Sequence, residues 1–412
     1  MTHHRIVIIG GGNAGLSVAG RLQRKGIDDV VVIEPRGQHR FQPLFSHVAG
    51  GVARASMAVR PQASVMPEGV GWLQETVMDL EPDADAVVLA SGARVTYDQL
   101  IVCPGMQLDW DAVPGLTAAL GTPSVASHYE FDLVPKASRL LRDLRSGTVV
   151  FTQPPGPAKC AGASQKPMYL ACDYWRATGV LGDIRVVMVV PDPTIFGIPE
   201  IDRELERKIA EYGIEVRYGI ELRSVDGANN TVEIGPVSGG PGAGAGFSAG
   251  SGSGSVEQLH YDVLNVVPPQ SAPDWLKSTS LPAAGDSGGF VEVDPETLRH
   301  VRYDNVWALG DAAATRNSKS GGALRKQTKV VAENVLTLLD GREPATRYDG
   351  YTVCPFTVSR STVVFAEFDD AYRLKPTIPF WTSLSRERRL SWLFDRHILP
   401  WVYWHMILKG RA

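Results

Sequence analysis

The strongest constraint on the fold is a glycine-rich turn that joins an apolar strand to a helix near the N-terminus. Arg5 to Ile9 predicts a buried parallel strand, the turn GGGNAG follows it directly, and Leu16 to Lys25 predicts a helix. Glycines at this GxGxxG spacing permit a tight turn and a close backbone approach, so that a pyrophosphate can lie on the N–H groups at the helix start. The turn residues that we expect to contact a dinucleotide are Gly10, Gly12, Asn13, Ala14 and Gly15.

A carboxylate after the second predicted strand supports the dinucleotide interpretation. The strand Val30 to Ile33 ends at Glu34, 19 positions after Gly15, where a carboxylate can accept hydrogen bonds from ribose hydroxyls. Pro35 follows it and is included in the predicted site. A glycine-rich turn without a ligand is the alternative, and the complete pattern of strand, turn, helix and carboxylate disfavours it.

Composition limits the number of domains and the classes of function. The 412 residues, of which 44% are hydrophobic and 21% charged, are enough for two or three folded domains. A net charge of -4 gives no general support for nucleic acid as a partner. The four cysteines form neither a disulfide scaffold nor a CxxC pattern, so no metal site is expected and any bridge would be catalytic. The opening MTHHRIVIIGGG has no signal-peptide pattern, which favours the cytoplasm or a membrane face reached from it.

A second pattern far downstream points to FAD. NVWALGD is a short apolar strand that ends in Gly310 and Asp311, and a helix is predicted from about Gly321 to Leu339. This resembles the second FAD fingerprint of two-dinucleotide flavoproteins, in which the aspartate binds the ribityl chain and the helix N-terminus stabilises the reduced flavin. LIVCPG, ending at Gly105, lies where those proteins cross between domains. Cys103 within it is expected to be a buried, unreactive cysteine.

Prolines and a cysteine occupy the position of a second nucleotide-binding turn. After the apolar run Thr148 to Phe151 the chain reads TQPPGPAKCAGASQK, with no third glycine at a helix start. The prolines stiffen this turn and leave no glycine path for a pyrophosphate, so NADH binding is not expected here. The following helix is predicted to begin near Pro167 and to end before Gly179.

Cys160, in this turn, is the candidate reactive thiol. It lies ahead of the helix start, next to Lys159 and near Lys166, and such positive charge lowers the pKa of a thiol. An inert loop cysteine is the alternative interpretation. Cys172, on the helix itself, fits an inert role better.

The candidate partner of Cys160 is Cys354, 194 positions later. Pro355 directly follows it and restricts the local backbone. The stretch from Val358 to Phe368 predicts a strand or a hairpin.

These motifs, with others spread along the chain, resemble those of the sulfide:quinone oxidoreductases, particularly the mitochondrial-type branch. The matching stretches are GGGNAG, FQPLF, KCAGASQKPMYL, VVPPQSAPDWL, GDAAATRNSKS, DGYTVCPF and LPWVYWHMILKG. Several spaced matches are far more specific than one. The resemblance implies an FAD enzyme that oxidises hydrogen sulfide.

The resemblance also implies a mechanism. It places a redox-active disulfide between Cys160 and Cys354 across the flavin face, with hydrosulfide attacking Cys354. The sulfane sulfur would pass to a small acceptor such as glutathione, coenzyme A or sulfite, and two electrons would pass through FAD to ubiquinone or menaquinone. A lysine-flanked Cys160 suits the role of leaving thiolate.

Four more cofactor contacts follow from the resemblance alone. Gln42 and Pro43 match a patch near the isoalloxazine ring, and Val77 matches a strand whose backbone meets adenine. Lys319 matches a lysine whose charge lies beside the flavin, with a solvated lysine as the alternative. The two glycines in SKSGGA depart from the family pattern and are expected to weaken the start of the next helix.

The C-terminal tail has the composition of a surface-bound membrane anchor. No run approaches the roughly 20 apolar residues needed to span a bilayer. Residues 381–412 carry six basic and two acidic side chains, and we expect Trp392, Trp401 and Trp404 to contact membrane lipid. Pro400 is expected to split the tail into two short helices. A helix pair that caps the core and a homodimer interface are the alternatives to peripheral, monotopic attachment at the cytoplasmic face.

The expected plan is an α/β protein with two Rossmann-like domains and C-terminal amphipathic helices. Residues 1–110 and 290–340 would bind FAD, residues 111–289 would form a second Rossmann-like domain without a working NAD site, and residues 341–412 would carry Cys354 and the membrane anchor. The low-complexity stretch Gly235 to Ser255 is expected to be a flexible loop. A type II NADH:quinone oxidoreductase and a non-catalytic, membrane-docked flavoprotein are the competing functions.

Overall fold

The computed structural model describes residues 2–238, 255–286, 288–377 and 382–412, so most of the loop expected from Gly235 to Ser255 lies outside the described residues. In chain order the strands are β1 (Thr2–Ile9), β2 (Val30–Ile33), β3 (Gln38–Arg40), β4 (Val59–Pro61), β5 (Gly71–Leu73), β6 (Val77–Glu81), β7 (Ala86–Leu89), β8 (Arg94–Val102), β9 (Gln107–Leu108), β10 (Val125–Ala126), β11 (Gly147–Thr152), β12 (Ile184–Val190), β13 (Glu215–Tyr218), β14 (Ile220–Asp226), β15 (Thr231–Pro236), β16 (Glu257–His260), β17 (Val263–Asn265), β18 (Gln270–Ser271), β19 (Val306–Ala308), β20 (Thr352–Ser359) and β21 (Thr362–Phe368). The α-helices are α1 (Asn13–Gln23), α2 (Pro43–Ala49), α3 (Gln62–Val65), α4 (Leu116–Ala119), α5 (Val134–Asp143), α6 (Lys166–Thr178), α7 (Pro199–Tyr212), α8 (Asp274–Lys277), α9 (Gly321–Leu339), α10 (Arg389–Leu393) and α11 (Leu399–His405).

The first sheet is built around β1, the strand that leads into the glycine-rich turn. Its strands lie in the order β5-β2-β1-β8-β7-β6, and β19 also pairs with β8. β2, β1, β8 and β19 run parallel, with Ile9 beside both Ile33 and Val102, and Val102 beside Ala308. The strand VVVI is buried throughout, as a parallel strand covered on both faces requires. The carboxyl ends of these four strands therefore meet at one edge, where ligands bind in sheets of this kind.

The second sheet is also parallel and has its own core. Its order is β10-β17-β11-β12-β13, and neighbouring strands pair in parallel. On one face lies α6, which starts at Lys166 with Pro167 in its first turn and is capped by Gly179 at φ 77°. These bounds agree with the prediction, because proline suits a helix start and a left-handed glycine suits its end. The parallel strands of both sheets, with helices packed against them, confirm the expected α/β fold.

The segment that carries Cys354 is a hairpin that completes the second core. β20 pairs antiparallel with β21, so the strand begins before Cys354 rather than after it. Cys354 and Phe356 are fully buried in one cluster with Phe151 and Trp175. The hairpin is a separate two-stranded sheet that packs into the core of the second sheet.

The tail is helical without a break from Arg389 to His405. A π-helical turn, Phe394–Ile398, joins α10 to α11, and Pro400 lies in the first turn of α11. The tail thus contains the two short α-helices that were expected, with Pro400 at the start of the second, but a π-helical turn joins them without a break.

The inner side of the tail packs against α1 and its neighbours. A Cβ on Gly20 would lie 2.7 Å from the carbonyl carbon of Lys409, so two backbones are in direct contact there. Trp404 is 5% exposed, and its ring meets Phe41 edge-on with centroids 5.9 Å apart. The lipid contact expected of Trp404 is therefore wrong, because this indole faces the protein. No helix among the described residues combines the length and the apolar character needed to cross a membrane.

Candidate active site

The glycine-rich turn forms a cradle that fits the pyrophosphate of a dinucleotide. Gly10 adopts φ 103°, and a Cβ there would lie 2.4 Å from the carbonyl oxygen of Cys103. A Cβ on Gly15 would lie 1.9 Å from the carbonyl oxygen of Gly10, whereas Gly12 faces open space, with no atom within 4 Å. Gly12 caps α1, whose first N–H groups can bind an anion. FAD carries such a pyrophosphate.

The second FAD fingerprint and the start of α9 lie at the same edge of the first sheet. Gly310 and Asp311 follow β19, and the Cβ position of Gly310 lies 3.6 Å from Cβ of Ala14. At the start of α9, the Cβ position of Gly321 lies 3.7 Å from Nδ2 of Asn13. The N-termini of α1 and α9 therefore face one groove, which both fingerprints line.

Three predicted residues lie beyond β2 and β8, the strands on either side of β1: Glu34, Pro35 and Gly105. Glu34 accepts the N–H of Gly11 on Oε2 and the N–H of Arg36 on Oε1, each at 2.9 Å. Each carboxylate oxygen has a second lone pair for a ribose hydroxyl. Pro35 is exposed beside it, and Gly105, at φ 84°, has open space over its Cα. The contacts of these residues with FAD stay predictions.

Gln42, Pro43 and Val77 have different surroundings. Gln42 and Pro43 are exposed at the start of α2, so their side chains are open to a ligand. Val77 is buried at the start of β6, on the antiparallel edge of the first sheet, so its side chain is not available to adenine. The adenine contact expected of its backbone stays a prediction.

Asp311 and Lys319 place opposite charges close together at the groove. Lys319 Nζ donates to the carbonyl oxygen of Ala313 at 2.7 Å and lies 4.1 Å from the ring centroid of Phe290. Burial lowers the pKa of Lys319 to about 8. Burial raises the pKa of Asp311, and the charge of Lys319 partly opposes that rise. Lys319 is 6% exposed, so it is not the solvated lysine of the alternative interpretation.

The two glycines of SKSGGA lie in the first turn of α9, and the weakening expected of them stays a prediction. The helix extends over 19 residues, as predicted, and Ser320 Oγ accepts the N–H of Ala323 at its start. A Cβ on Gly322 would lie 2.1 Å from Cγ1 of Val353. The absent side chain therefore lets β20, which carries Cys354, approach the cofactor groove.

The loop 317–320 connects this groove to both candidate thiols. The N–H of Cys160 donates to the carbonyl oxygen of Lys319 at 2.5 Å, and Ser318 Oγ lies 3.9 Å from Cys354 Sγ. Both cysteines are free thiols, and the two thiols share a hydrogen bond. The fold thus brings the two predicted cysteines together beside the predicted FAD site.

Cys160 has a strained backbone that its neighbours hold in place. Its φ of 53° and ψ of 74° lie in the left-handed region, which costs a non-glycine residue about 1–3 kcal/mol. Tyr129 Oη donates to the carbonyl oxygens of Lys159 at 3.1 Å and Cys160 at 3.4 Å. The N–H of Ala163 also donates to the carbonyl oxygen of Cys160, at 2.6 Å. These bonds give the thiol a defined position.

The two thiols have opposite pKa shifts. A hydrogen bond from Cys354 is the largest cause that lowers the pKa of Cys160 to about 6, and the charge of Lys166 acts in the same direction. The same hydrogen bond, together with burial, raises the pKa of Cys354 well above its ordinary value. The pair at neutral pH is therefore a Cys160 thiolate and a Cys354 thiol that donates to it. Lys159, expected to lower this pKa, instead has its Nζ 5.7 Å from the ring centroid of Tyr129.

Sequence reasoning missed three side chains of the site: His128, Tyr129 and Ser318. His128 Nε2 donates to the carbonyl oxygen of Ala163, and its Nδ1 accepts from Asn265 Nδ2, both at 2.9 Å. Burial lowers the pKa of His128 to about 4, so the ring is neutral. The available signal was weak: His128 and Tyr129 follow a short strand of the second sheet. The other two cysteines are inert, as expected, because burial raises the pKa of both Cys103 and Cys172.

The second Rossmann turn, after β11, has polar side chains in place of a glycine cradle. Gln153 is 8% exposed, accepts from Ser164 Oγ at 3.2 Å, and donates to Asp192 Oδ2 at 3.3 Å. Pro154 and Pro155 follow it. The GxGxxG spacing of the first turn is not repeated in this turn, and the lack of a working NAD site stays a prediction.

The outer face of the tail consists of five apolar side chains that are 44% to 60% exposed: Leu390, Leu393, Phe394, Ile398 and Trp401. Trp392 is only half exposed, and its ring centroid lies 5.8 Å from that of His47. Behind this face, His47 Nε2 lies 3.1 Å from Asp395 Oδ2 in a buried pair. A cluster of exposed apolar residues is typical of a surface that contacts lipid or another protein.

Comparison with known proteins identifies the family. Residues 4–331 match the pyridine nucleotide-disulphide oxidoreductase family. The chain is 34% identical over 409 residues to the mitochondrial sulfide:quinone oxidoreductase of Mus musculus, covering 99% of this chain and 87% of the relative. It is 33% identical over 410 residues to the mitochondrial sulfide:quinone oxidoreductase of Dictyostelium discoideum, covering 99% and 86%. The solved structure of the sulfide:quinone oxidoreductase of the bacterium Aquifex aeolicus matches with a TM-score of 0.82 at 18% identity, covering 100% of this chain and 92% of that one. The chain therefore belongs to the pyridine nucleotide-disulphide oxidoreductase family and, within it, to the sulfide:quinone oxidoreductases.

Proposed function

We propose that this protein is an FAD-dependent sulfide:quinone oxidoreductase that oxidises hydrosulfide through a Cys160–Cys354 disulfide. The observation that carries the proposal is the hydrogen bond between these two thiols, next to the loop that carries Lys319. FAD, held by the glycine-rich turn, Glu34 and Asp311, would supply a two-electron acceptor between the thiol pair and quinone.

The reaction begins from the oxidised cysteine pair. Hydrosulfide attacks Cys354 Sγ, the bond between Cys354 and Cys160 breaks, and Cys354 carries a persulfide while Cys160 leaves as a thiolate. A nucleophilic acceptor then takes the outer sulfur, which leaves a thiolate on Cys354. The two thiolates then give up two electrons and form the disulfide again. Quinone is the final acceptor of these electrons and takes up two protons with them to become quinol.

The unequal thiols assign the two roles. A thiol with a lower pKa is the better leaving group in thiol–disulfide exchange. The pKa of Cys160 is lowered to about 6 by the hydrogen bond from Cys354, whereas that of Cys354 is raised. Attack on Cys354 releases Cys160 as a thiolate, which is also the form that the reduced pair favours at this position. Glutathione, coenzyme A and sulfite each have the nucleophilic atom that the acceptor step needs.

The outer face of the tail supports attachment to a membrane. Its five exposed apolar side chains lie near Arg386 and Arg389, which are also exposed, and this combination suits an interface of lipid headgroups. We extend the proposal to peripheral binding at the cytoplasmic face, where lipid-soluble ubiquinone or menaquinone can reach the flavin. A homodimer that covers the same face is the competing proposal, and sedimentation in detergent distinguishes the two.

Anaerobic titration with sulfide tests the disulfide mechanism. We expect sulfide to bleach the flavin absorbance of the native protein, and of Cys172→Ala, a control that replaces a buried cysteine of α6. Cys160→Ser and Cys354→Ser should bind FAD but stay oxidised. Bleaching at the native rate in either serine variant would refute the mechanism.

The competing functions predict different titrations. A type II NADH:quinone oxidoreductase would be bleached by NADH, but Gln153 and the two prolines after it offer no pyrophosphate cradle, so we expect no bleaching. A non-catalytic flavoprotein would stay oxidised with both sulfide and NADH.

A further inference from the structure

We propose that Tyr403 and His39 position the FAD-binding turn, which makes the C-terminal tail part of the cofactor site. Tyr403 lies on α11, and His39 lies on β3, beside the glycine-rich turn. Tyr403 Oη is 2.6 Å from His39 Nε2, and His39 Nδ1 is 3.0 Å from the carbonyl oxygen of Gly11. One imidazole ring therefore joins the tail to the turn.

The directions of these two hydrogen bonds follow from the carbonyl group. The oxygen of Gly11 can only accept, so Nδ1 of His39 carries the proton and donates. A neutral imidazole then has its lone pair at Nε2, where it accepts the O–H of Tyr403. His39 is 3% exposed, and burial favours the neutral ring. Without the hydroxyl, Nε2 would be a buried acceptor with no donor, and the tautomer with a proton on Nε2 would compete.

The carbonyl of Gly11 determines where the next N–H group points. In a trans peptide the C=O and the following N–H point in opposite directions, so the N–H of Gly12 is directed away from His39. The same carbonyl accepts from Gln62 Nε2 at 2.9 Å, and the N–H of Gly11 is held by Glu34 Oε2 at 2.9 Å. The two peptide groups that flank Gly11 are thus both held, directly before the cap of α1. Donors that are already oriented bind an anion with a smaller entropic cost.

Packing that does not involve the hydroxyl also holds Tyr403 in place. Its ring stacks on Phe41, with centroids 4.0 Å apart and planes at 24°, and meets Trp404 edge-on at 5.1 Å. Lys409 Nζ ties the end of the tail to the carbonyl oxygens of Val65 and Met66, at 3.0 Å and 2.8 Å. Tyr403→Phe therefore removes one donor and leaves the ring in its contacts.

Release of FAD from the holoprotein tests the proposal. Flavin fluorescence rises as FAD leaves the protein on dilution, and titration of the apoprotein gives the dissociation constant. Because a buried acceptor loses its donor, we expect Tyr403→Phe to raise this constant about tenfold. Trp401→Phe, on the exposed side of the same helix, is the matched control and should change it by less than about twofold. Unchanged FAD binding in Tyr403→Phe would overturn the proposal.

A second variant separates positioning from packing. In His39→Asn the side-chain amide lies near the position of Nδ1 and can donate to Gly11 without Tyr403. In that background Tyr403→Phe should have an effect below about twofold, and a tenfold effect in both backgrounds would show that the tyrosine acts only through packing. If Tyr403→Phe does not fold, His39→Leu should release FAD about tenfold faster than His39→Asn, and equal release would overturn the proposal. None of these measurements uses sulfide, so their outcome is independent of the disulfide mechanism.

Discussion

Replacing Cys354 with alanine removes the donor that stabilises the Cys160 thiolate. The hydrogen bond from Cys354 is the largest cause of a pKa that moves from 9.0 to about 6. A shift of this size corresponds to about 4 kcal/mol in favour of the thiolate. At neutral pH a thiol with the lowered pKa is about 90% thiolate, whereas a thiol with the ordinary pKa is about 1% thiolate. The hydrogen bond therefore decides whether Cys160 is reactive.

We expect the pH midpoint of Cys160 alkylation to rise by at least about one unit in Cys354→Ala. With the donor removed, burial, which raises the pKa, outweighs the charge of Lys166, which lowers it, so the midpoint should move back toward the ordinary value or above it. Cys354→Ser is the matched control, since its hydroxyl can donate in place of the thiol and should keep the midpoint near that of the native protein. The assay is the rate of iodoacetamide modification of the fully reduced protein as a function of pH, with Cys160 identified by peptide mass.

Two results would refute this reasoning. A midpoint near 6 in Cys354→Ala would show that the hydrogen bond is not the cause of the low pKa. A larger rise in Lys166→Met than in Cys354→Ala would show that the lysine charge is the main cause.

Acid stability, hairpin packing and lipid binding give further tests. Burial lowers the pKa of His39 and of His128 from an ordinary 6.5 to about 4. Between these two pH values the unfolded chain therefore binds more protons than the folded protein does. The free energy of unfolding should therefore fall as the pH decreases through it, by about 3 kcal/mol for each histidine, and a flat profile in urea unfolding would contradict this. The side chain introduced in Gly322→Val would displace Val353. We therefore expect the variant to lose about 1–3 kcal/mol of stability and to be bleached more slowly by sulfide. An unchanged melting temperature would argue against the contact with Val353. Leu393→Glu should weaken flotation with anionic vesicles about tenfold without changing bleaching by sulfide in detergent, and full flotation would exclude the outer face of the tail as the lipid contact.

The helices next to the site show how far local patterns reach. Pro167 and Gly179 were sufficient to predict the ends of α6, and the bounds of α9 agree with the structure. Capping preferences act within a few residues, so they are readable without tertiary contacts. The close approach of Val353 to Gly322 could not be predicted in this way, because that contact is not local.

The tail shows where local patterns are insufficient. Its tryptophans and arginines correctly indicated an amphipathic segment, but composition could not show which aromatic side chains face the protein. Trp401 is exposed, whereas Trp404, three positions later, is buried against the first domain. That difference depends on how the helix is rotated against its neighbours, which the close contact at Gly20 helps to set.

Local chemistry in the chain was enough to specify the dinucleotide turn, the two parallel sheets and two cysteines in suitable segments, because glycine spacing and apolar runs act over short distances. The pairing of Cys160 with Cys354 was expected only from family resemblance, and the folded chain was needed to show their hydrogen bond and its effect on both pKa values. The same holds for Tyr403 and His39, which meet across 364 residues of chain. Contacts of this kind arise when packing brings distant segments together, so they cannot be predicted from the residues of either segment alone.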